Sequence, residues 1–446
     1  MTENILALCI DLGTTSISAA VTDITAGTQL EFFTVDHMAD VVCANPAFHE
    51  QDAQLICEKA HSLIDSALDK YPGIRAIGLT GQMHGIVYLD ATGNCLSNLI
   101  NWQDKRGDIP MADGASHCEY MRRVTGMHIA TGYGLASHFY NLKGGLVPEN
   151  AVTFASIMDV LGMRLTGRRA PLIHNSVAAS FGLFDNAKGA FIDMDALGMT
   201  GIALPEVTDE YALLGLYRGA QVSVAIGDNQ ASILGSVKDI ADSVLVNMGT
   251  GSQISMVTSS LSPTDAIEIR PLVKGKFIAC ASALCGGKAY ALLERFFRDY
   301  VGGGSQYDTL NRMLESACSS GVQPLDVDTA FMGKRHDPAA TGSITGITYD
   351  NFTPAAMALG FINGMCRELY AHFEGRMDGK KCVVASGNAV QKIPVFRNVL
   401  ADMFGMPVMI SENREEASLG AALFACAACG ILTEADFGRF INYREA

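Results

Sequence analysis

Residues 5–22 read ILALCIDLGTTSISAAVT, an apolar run followed by a Gly/Thr turn and a second, loosely alternating run. This pattern predicts a hairpin, in which a buried strand, a tight turn at Gly13 and a returning strand follow one another. The pattern recurs at residues 243–258, which read SVLVNMGTGSQISMVT. Two such units predict two domains of related fold, each contributing one turn to a shared site.

Strand and helix patterns alternate between and after the two hairpins. A third strand is predicted at Thr28–Val35, a helix at Glu50–Lys70 and a buried strand at Ile74–Leu79. The second half predicts helices at Ala355–Phe373, Gln391–Phe404 and Glu415–Cys429 and strands at Lys381–Ala385 and Pro407–Ile410. This order predicts an α/β fold, and we place the domain boundary near Lys238–Ala241.

The composition is that of a folded globular protein without polyanionic partners. A chain of 446 residues, 49% apolar and 18% charged, is long enough to form two packed cores. Its net charge of −15 argues against nucleic acid and anionic membranes as partners, because both require basic patches. The 12 cysteines lack metal-ligand spacing, and no signal peptide or membrane span is recognisable, so we expect a cytoplasmic protein.

The two Gly/Thr turns are candidate phosphate sites. Backbone N–H groups converge in a tight glycine turn and can hold phosphate oxygens, and threonine hydroxyls add donors. An acidic residue at the end of the first strand can hold Mg²⁺ through water. The predicted phosphate-binding residues are Gly13, Thr14, Thr15, Gly249, Thr250, Gly251 and Ser252, and the predicted Mg²⁺ residue is Asp11. A plain hairpin turn is the simpler interpretation of either stretch alone.

Asp228 is a candidate general base. Residues 225–231 read AIGDNQA, where an apolar run meets a helical pattern at Asp228. A carboxylate at such a junction suits the base that accepts the proton of an attacking hydroxyl in phosphoryl transfer. The simpler interpretation is a helix N-cap, a position that aspartate favours strongly. The residues alone leave both interpretations open.

A candidate polyol site follows the predicted strand at Ile74–Leu79. Polar amide, imidazole and carboxylate groups provide hydrogen-bond partners, and an aromatic ring provides an apolar wall for the C–H face of a sugar. The residues that form this pattern are Gln82, Met83, His84, Asp104 and Trp102, the single tryptophan of the chain. A structural histidine and a core tryptophan are the simpler interpretations.

Residues 383–389 read VVASGNA, a predicted strand followed by a Gly/Asn turn and a helix. In the functional interpretation, Gly387 and Asn388 form a surface that binds the adenine and ribose of a nucleotide. Its simpler interpretation is an ordinary loop between a strand and a helix.

Together these stretches resemble the FGGY family of carbohydrate kinases, within the actin/Hsp70/hexokinase superfamily. The motifs are DLGTTS at 11–16, GQMHG at 81–85, WQDKR at 102–106, GDNQAS at 227–232, NMGTGSQ at 247–253, SGNAVQK at 386–392 and REEASLGAALFA at 414–425. The resemblance covers essentially the whole chain. It implies two ribonuclease-H-like domains, each a mixed sheet flanked by helices, that close around a cleft when sugar binds.

The resemblance also implies an ATP- and Mg²⁺-dependent kinase with Asp228 as general base. Residues 1–239 would hold the sugar and the first phosphate loop, and residues 240–446 the nucleotide. The implied sugar-pocket residues are Gln82, Met83, His84, Trp102, Asp104, Asn229 and Gln230, and the implied ATP residues are the two phosphate turns with Gly387 and Asn388. Homodimers are common among such enzymes, although no self-complementary patch is visible in this sequence.

Two positions depart from the family pattern. Many relatives carry a basic residue where this chain has Ser18, and successive glycines where it has Ser-Gly-Asn at 386–388. Arg335, in a loop-like segment, is a candidate for the missing positive charge. A surface salt bridge is an equally good interpretation of that arginine.

The motifs narrow the expected substrate to a ketose. Gln-Met-His-Gly fits kinases of xylulose and of sedoheptulose, while Trp-Gln-Asp, Thr131–Gly134 and Gly333–His336 favour the sedoheptulose branch. Conversion of sedoheptulose to sedoheptulose 7-phosphate is therefore the first choice, and phosphorylation of xylulose or another pentulose is the second. A sensor that binds ATP and sugar but phosphorylates poorly is the alternative of another class. Ser18 supports that alternative, and Asp228 counts against it.

Overall fold

The computed structural model of the chain describes residues 4–249, 251–264, 266–334, 337, 339–413 and 415–445, with the backbone alone for Asn388 and Glu445. The chain forms two compact units that interleave along the sequence. The first unit comprises Met1–Ser236, Arg270–Lys276 and Glu415–Phe440, and the second comprises Val237–Ile269, Phe277–Arg414 and Ile441–Ala446. The predicted functional division into residues 1–239 and 240–446 stays a prediction.

The strands alternate with helices through most of the chain. The strands are β1 (Leu6–Leu12), β2 (Ser16–Asp23), β3 (Thr28–Asp36), β4 (Asp40–Val41), β5 (Glu50–Gln51), β6 (Ile74–Gly81), β7 (Val87–Leu89), β8 (Leu99–Ile100), β9 (Thr153–Ala155), β10 (Leu172–His174), β11 (Phe184–Asp185), β12 (Ala190–Phe191), β13 (Glu206–Thr208), β14 (Leu213–Tyr217), β15 (Ala220–Ser223), β16 (Ser243–Met248), β17 (Ser252–Thr258), β18 (Glu268–Pro271), β19 (Phe277–Ala283), β20 (Asp326–Asp328), β21 (Ser343–Thr345), β22 (Cys382–Ser386), β23 (Val408–Ser411) and β24 (Tyr443–Glu445). The helices are α1 (Ala53–Lys70), α2 (His117–Thr125), α3 (Gly134–Lys143), α4 (Ile157–Thr166), α5 (Asn175–Ser180), α6 (Asp228–Ser236), α7 (Gly286–Val301), α8 (Tyr307–Ser319), α9 (Pro354–Phe373), α10 (Asn388–Lys392), α11 (Pro394–Phe404) and α12 (Glu416–Ala428).

Each unit is built on one mixed sheet, and the two sheets share their topology. The first has the order β14-β15-β6-β1-β2-β3, and the second has the order β24-β23-β22-β16-β17-β19 with β18 added at its edge. In both, the hairpin strands run antiparallel, whereas the three central strands, β1, β6 and β15 or β16, β22 and β23, run parallel. The prediction of an α/β fold with a repeated hairpin unit is confirmed.

Two helix boundaries differ from the predicted ones for local reasons. The helix predicted from Glu50 begins at Ala53, because Glu50 and Gln51 pair as β5 and the Asp52 side chain accepts a hydrogen bond from the Leu55 N–H at 3.0 Å. The single helix predicted over Gln391–Phe404 is two helices, α10 and α11. Proline lacks an N–H and disfavours a helical residue before it, so Pro394 begins a new helix.

Helix α12 packs in the first unit against both β6 and α6. A Cβ on Gly78 of β6 would overlap the carbonyl group of Ala421, and a Cβ on Gly235 of α6 would overlap the carbonyl oxygen of Glu416. Reciprocally, a Cβ on Gly420 would overlap the carbonyl oxygen of Ala231. Glycines therefore let the backbones of α6 and α12 approach closely, and this contact fixes α6, whose first residue is Asp228.

Gly420→Leu is expected to lower the free energy of unfolding by about 3 kcal/mol, because the added side chain forces α12 away from α6. The measurement is the urea midpoint followed by far-UV circular dichroism. Gly144→Ala is the matched control in the same unit, since a Cβ there is 3.4 Å from its nearest neighbour, an ordinary contact. Equal midpoints for Gly420→Leu and Gly144→Ala would contradict the close approach of the two helices.

Within the part of the chain that the structure describes, no helix combines the length and the apolar character that a membrane span requires.

Candidate active site

The candidate site of the first unit lies where its three parallel strands end. The loop after β1 begins next to the loop after β6, because Leu12 is paired with Gly81 and its carbonyl accepts a hydrogen bond from the Gln82 N–H at 2.8 Å. The loop after β15 joins them, since the Ile226 N–H donates to the Leu79 carbonyl at 3.0 Å. Carboxyl ends of parallel strands are the usual place for ligand sites in α/β sheets. Three separate sequence motifs therefore meet at one edge.

Asp228 is the first residue of α6 and is exposed at this edge. Its Oδ1 accepts a hydrogen bond from the Asn229 N–H at 2.6 Å. Although the side chain is exposed, the protein packed around it raises the pKa of Asp228, and the Asn229 bond and the positive charge of Arg270 oppose that rise. The carboxylate can thus accept a proton while staying open to a substrate.

Three carboxylates act on one another at this edge of the sheet. Burial raises the pKa of Asp11 to about 7, and the charges of Asp228 and Glu415 add to the effect. Burial also raises the pKa of Glu415, the residue that precedes α12. Like charges held together favour a bound cation. Carboxylates are the ligand type that a hydrated Mg²⁺ takes, and no group of three His, Cys, Asp or Glu side chains within the described ranges is arranged to hold a metal directly.

Arg270 is a candidate functional residue that the sequence analysis missed. It lies in β18, on the short segment Arg270–Lys276 that packs with the first unit. This segment is held at the start of α6, because the Gln230 side-chain amide donates to the Pro271 carbonyl at 2.9 Å. The one available signal was an arginine inside the otherwise apolar strand pattern AIEIRPLV.

Of the predicted sugar residues after β6, Met83 contacts the start of α6, whereas Gln82 and His84 bond to other elements of the first unit. Met83 lies against Gly227, where a Cβ would be 2.7 Å from the Met83 sulfur. The Gln82 side-chain N–H₂ donates to the Gln51 side chain at 3.0 Å. His84 has a φ of 73°, and its ring Nδ1 lies 2.7 Å from the Ser180 carbonyl. Because a carbonyl only accepts, Nδ1 carries the proton of this hydrogen bond.

Buried amide oxygens without a partner occur on the two residues that follow Asp228 and on the loop after β6. Among the described residues, the side-chain oxygens of Gln82, Asn229 and Gln230 are buried and accept no hydrogen bond. Buried polar atoms are normally paired, so each such atom calls for a donor from water or ligand. Sugar hydroxyls are donors of this kind.

Trp102 connects the predicted sugar residues to the first phosphate turn. Its side chain is 46% exposed, and its indole N–H donates to the Thr14 hydroxyl at 2.9 Å. The Thr14 carbonyl accepts hydrogen bonds from Gln51 at 2.8 Å and from the His37 ring at 2.9 Å. The turn at Gly13, Thr14 and Thr15 is therefore held in one conformation, with an aromatic face beside it.

Asp104 lies buried against Arg106 in the structure, and its contact with sugar stays a prediction. Its side chain is fully buried, and its two oxygens accept from the Arg106 guanidinium at 2.8 and 2.9 Å. One oxygen also accepts from the Arg106 N–H and the other from the His49 N–H, each at 2.9 Å. With both oxygens occupied, Asp104 acts as a structural partner of Arg106.

Helix α5 supports two of the three loops and was also missed by the sequence analysis. The Ser176 hydroxyl accepts a hydrogen bond from the Gly227 N–H at 3.1 Å, directly before Asp228. At the other end of α5, the Ser180 hydroxyl accepts from the His84 N–H at 3.1 Å. The short serine-rich segment NSVAAS gives no recognisable motif by itself, so its role emerges only from the fold.

The second unit carries the other predicted phosphate turn at the end of β16. A Cβ on Gly387 would be 2.6 Å from the Met248 carbonyl oxygen, and Gly387 has a φ of 93°. Gly81 meets Leu12 in the same way in the first unit. The predicted residues Gly249, Gly251 and Ser252 lie in this turn, whereas Thr250, the Asn388 side chain and Arg335 lie outside the described residues.

Two models of one protein family match consecutive parts of the chain. Models of the N-terminal and C-terminal domains of the FGGY family of carbohydrate kinases match residues 6–245 and 244–429. The chain is 25% identical to a sedoheptulokinase from Mus musculus, over 95% of this chain and 98% of that protein. It is 26% identical to a glycerol kinase from Delftia acidovorans, over 95% of this chain and 90% of that protein.

Solved structures show the same fold. A xylulose kinase from Rhodospirillum rubrum matches with a TM-score of 0.83 and 19% identity, over 99% of this chain and 93% of that chain. Plasmodium falciparum glycerol kinase with ADP matches with a TM-score of 0.82 and 17% identity, over 99% of this chain and 93% of that chain. Since the two family models together span almost the entire sequence, the chain belongs to the FGGY family of carbohydrate kinases and is a sugar kinase.

Proposed function

We propose that this kinase transfers the γ-phosphoryl group of ATP to a terminal hydroxyl of a ketose, with Asp228 as the general base. The main support is the position of Asp228, an exposed carboxylate at the start of α6 with unpaired buried amide oxygens on the two residues that follow it. The carboxylate can accept the proton of the reacting hydroxyl, and the amide oxygens can accept hydrogen bonds from the other hydroxyls of the sugar.

The proposed step is a single in-line displacement. The sugar hydroxyl donates its proton to the Asp228 carboxylate, and its oxygen forms a bond to the γ-phosphorus of ATP. The bond between that phosphorus and the bridging oxygen breaks, and ADP leaves. A carboxylate whose pKa is raised by its surroundings is, when ionised, a stronger base than an ordinary aspartate.

The two Gly/Thr turns are proposed to hold the ATP phosphates, through the amides of Gly13 and Thr14 in one unit and Gly249 and Gly251 in the other. Asp11 would hold Mg²⁺ through water, and that ion supplies charge neutralisation to the phosphate oxygens. The support for Asp11 is its like-charged neighbourhood, which raises its pKa to about 7. Gly387 is proposed to lie along the nucleoside.

Sedoheptulose is the proposed substrate, and a pentulose such as xylulose is the second candidate. The sedoheptulokinase relative supports the first, and the xylulose kinase structure shows only that the fold accommodates the second. ADP release with MgATP across sedoheptulose, D-xylulose, D-ribulose, L-ribulose, glycerol and gluconate tests the choice. We expect sedoheptulose to give the highest kcat/KM, because a site built to bond the extra hydroxyls penalises a shorter sugar. A higher kcat/KM for glycerol or gluconate would overturn the assignment to a ketose.

The second candidate function is that of a sugar sensor, which binds ATP and sugar but hydrolyses little ATP and transfers little of its phosphoryl group. The observation that favours it is Ser18, whose hydroxyl lies 3.1 Å from the Thr34 hydroxyl at a position where many relatives have a basic residue. Isothermal titration calorimetry beside the ADP-release assay separates the two functions. Binding of both ATP and a sugar without release of ADP above the buffer rate would favour the sensor.

Trp102→Ala is expected to raise the KM for sugar by about tenfold with little change in kcat, because one face of the sugar loses its apolar wall. Steady-state kinetics with each substrate varied in turn measures both constants. Trp102→Phe is the matched variant: it keeps the wall but lacks the N–H that bonds to Thr14. Its sugar KM should stay near that of the wild type. If alanine and phenylalanine raised the sugar KM equally, the ring face would not contact the sugar.

A further inference from the structure

Gln51 is a buried glutamine that joins the first phosphate turn to the predicted sugar residue Gln82. It lies in β5, and its exposed fraction is 0%. Its side-chain Nε2 donates to the Thr14 carbonyl and to the Asp40 carboxylate, each at 2.8 Å. Its Oε1 accepts a hydrogen bond from the Gln82 Nε2 at 3.0 Å. Both N–H groups and the oxygen of the Gln51 amide are therefore in use.

The partners of Gln51 fix the direction in which its amide faces. A backbone carbonyl and a carboxylate oxygen only accept hydrogen bonds, so the end of the amide that faces Thr14 and Asp40 is the N–H₂ group. A flipped amide would place its oxygen against two acceptors. The oxygen of Gln51 consequently faces Gln82.

The orientation of Gln51 fixes the orientation of Gln82 in turn. The Gln82 Nε2 donates to two acceptors, the Gln51 Oε1 at 3.0 Å and the Gly13 carbonyl at 3.4 Å. The N–H₂ group of Gln82 is thereby used within the protein, and its Oε1 is left over. That oxygen is buried, in a side chain that is 5% exposed, and it has no hydrogen-bond partner among the residues that the structure describes. Gln82 thus offers a ligand an acceptor and no donor.

We propose that Gln51 is a positioning residue for substrate specificity, which holds the Gln82 amide so that only its oxygen is offered to the sugar. This inference rests on the proposed function, in which Gln82 lies in the sugar pocket. Such a position takes a hydroxyl, because a hydroxyl can donate a hydrogen bond. A carbonyl or carboxylate oxygen at the same place would face another acceptor, and a deoxy sugar would leave the buried oxygen unpaired. Gln51 therefore selects for a hydroxyl at one carbon of the substrate by acting through Gln82.

The test is a double-mutant cycle on a sugar dissociation constant, measured by isothermal titration calorimetry on the full chain. The sugar is the one that the wild type binds most tightly in the panel above, which we expect to be sedoheptulose. Gln82→Met removes the acceptor and is expected to weaken binding by about tenfold, the loss of one hydrogen bond. Gln51→Met leaves the Gln82 amide to be ordered by the sugar and is expected to weaken binding by about fivefold. The double variant is expected to bind within about twofold of Gln82→Met, because Gln51 acts through Gln82.

Gln54→Met is the matched control, because it removes an exposed glutamine side chain three residues along the same unit and should leave the dissociation constant unchanged. We expect Gln51→Met to fold, since the Thr14 carbonyl still accepts a hydrogen bond from the His37 ring at 2.9 Å. Far-UV circular dichroism checks this. Gln51→Asn, whose shorter side chain cannot span Thr14 and Gln82, takes its place in the cycle if the methionine variant does not fold.

The outcomes separate this inference from the proposed function. Unchanged binding in Gln51→Met would overturn the positioning role, and so would losses that add in the double variant, because a structural disturbance acts independently of Gln82. Unchanged binding in Gln82→Met would also overturn it, because the buried oxygen would then bond to water and not to the sugar. In each of these cases, binding of a ketose by the wild type keeps the proposed function. A wild-type protein that binds no sugar of the panel would overturn the proposed function and this inference with it.

Discussion

Asp228→Asn is expected to lower kcat by about 10²–10⁴-fold while sugar binding stays close to that of the wild type. The substitution removes the group that accepts the hydroxyl proton and changes little else. Asparagine has the same shape and can still accept a hydrogen bond from a neighbouring N–H. The measurements are kcat from ADP release and the dissociation constant of the sugar from calorimetry.

This variant also distinguishes the general-base interpretation of Asp228 from the N-cap interpretation. Asparagine caps a helix about as well as aspartate, so a purely structural role predicts nearly unchanged stability and nearly unchanged kcat. Asp113→Asn is a matched control in the same unit, at a surface carboxylate that pairs with Arg123. A kcat within about threefold of the wild type in Asp228→Asn would rule out general base catalysis by this residue, since one positioned base contributes far more.

The hairpins could be predicted from sequence because every determinant is local. The apolar runs of β1 and β16 and the glycines after them lie within a few residues of one another, and both strands form as expected. The signal for a helix break at Pro394 was also local, but the helical spacing of apolar residues over Gln391–Phe404 led to the prediction of one continuous helix. Local patterns therefore identify elements well and place their ends less well.

The candidate site required contacts between residues far apart in the chain. Arg270 lies 42 residues after Asp228, and the adjacent Pro271 carbonyl accepts a hydrogen bond from Gln230 near the start of α6. Helix α12 follows the second Gly/Thr turn by more than 160 residues but packs in the first unit, which sequence order cannot indicate. Backbone approaches at Gly235 and Gly420 create that packing, and neither glycine belongs to a turn motif.

The burial of Asp104 is another feature that the sequence alone could not indicate. A carboxylate two residues before an arginine matches a sugar-site pattern as well as a buried ion pair. In the fold, Arg106 also donates to Asn141 at 2.7 Å and to Glu50 at 2.8 Å, so its guanidinium is a buried structural centre. Burying that charge requires paired carboxylates, and Asp104 is one of them. Which interpretation applies depends on burial, and that is known only from the fold.

Arg270→Gln is expected to lower kcat by about tenfold at neutral pH, the change that one unit in the pKa of a base produces when that pKa lies above the working pH. The positive charge of Arg270 keeps the pKa of Asp228 lower than burial alone would set it. Removing the charge raises the pKa of Asp228. A base works only while ionised, so kcat falls as the pH drops through that pKa. The acid limb of the kcat–pH profile should therefore move to higher pH in the variant.

The pH profile distinguishes this electrostatic role from a merely structural one. Arg270→Lys keeps the charge and should restore the position of the acid limb, even if kcat recovers only in part. Arg123→Gln is the matched control, because it removes one exposed charge elsewhere in the first unit and should leave the limb in place. A reduced kcat in Arg270→Gln with an unshifted acid limb would contradict the electrostatic role, since lost packing of the 270–276 segment lowers the rate at every pH alike. If the acid limb shifts in Arg270→Gln and returns in Arg270→Lys, the basicity of Asp228 depends on the positive charge of a residue in β18. The function of the base then depends on a segment that lies far along the chain.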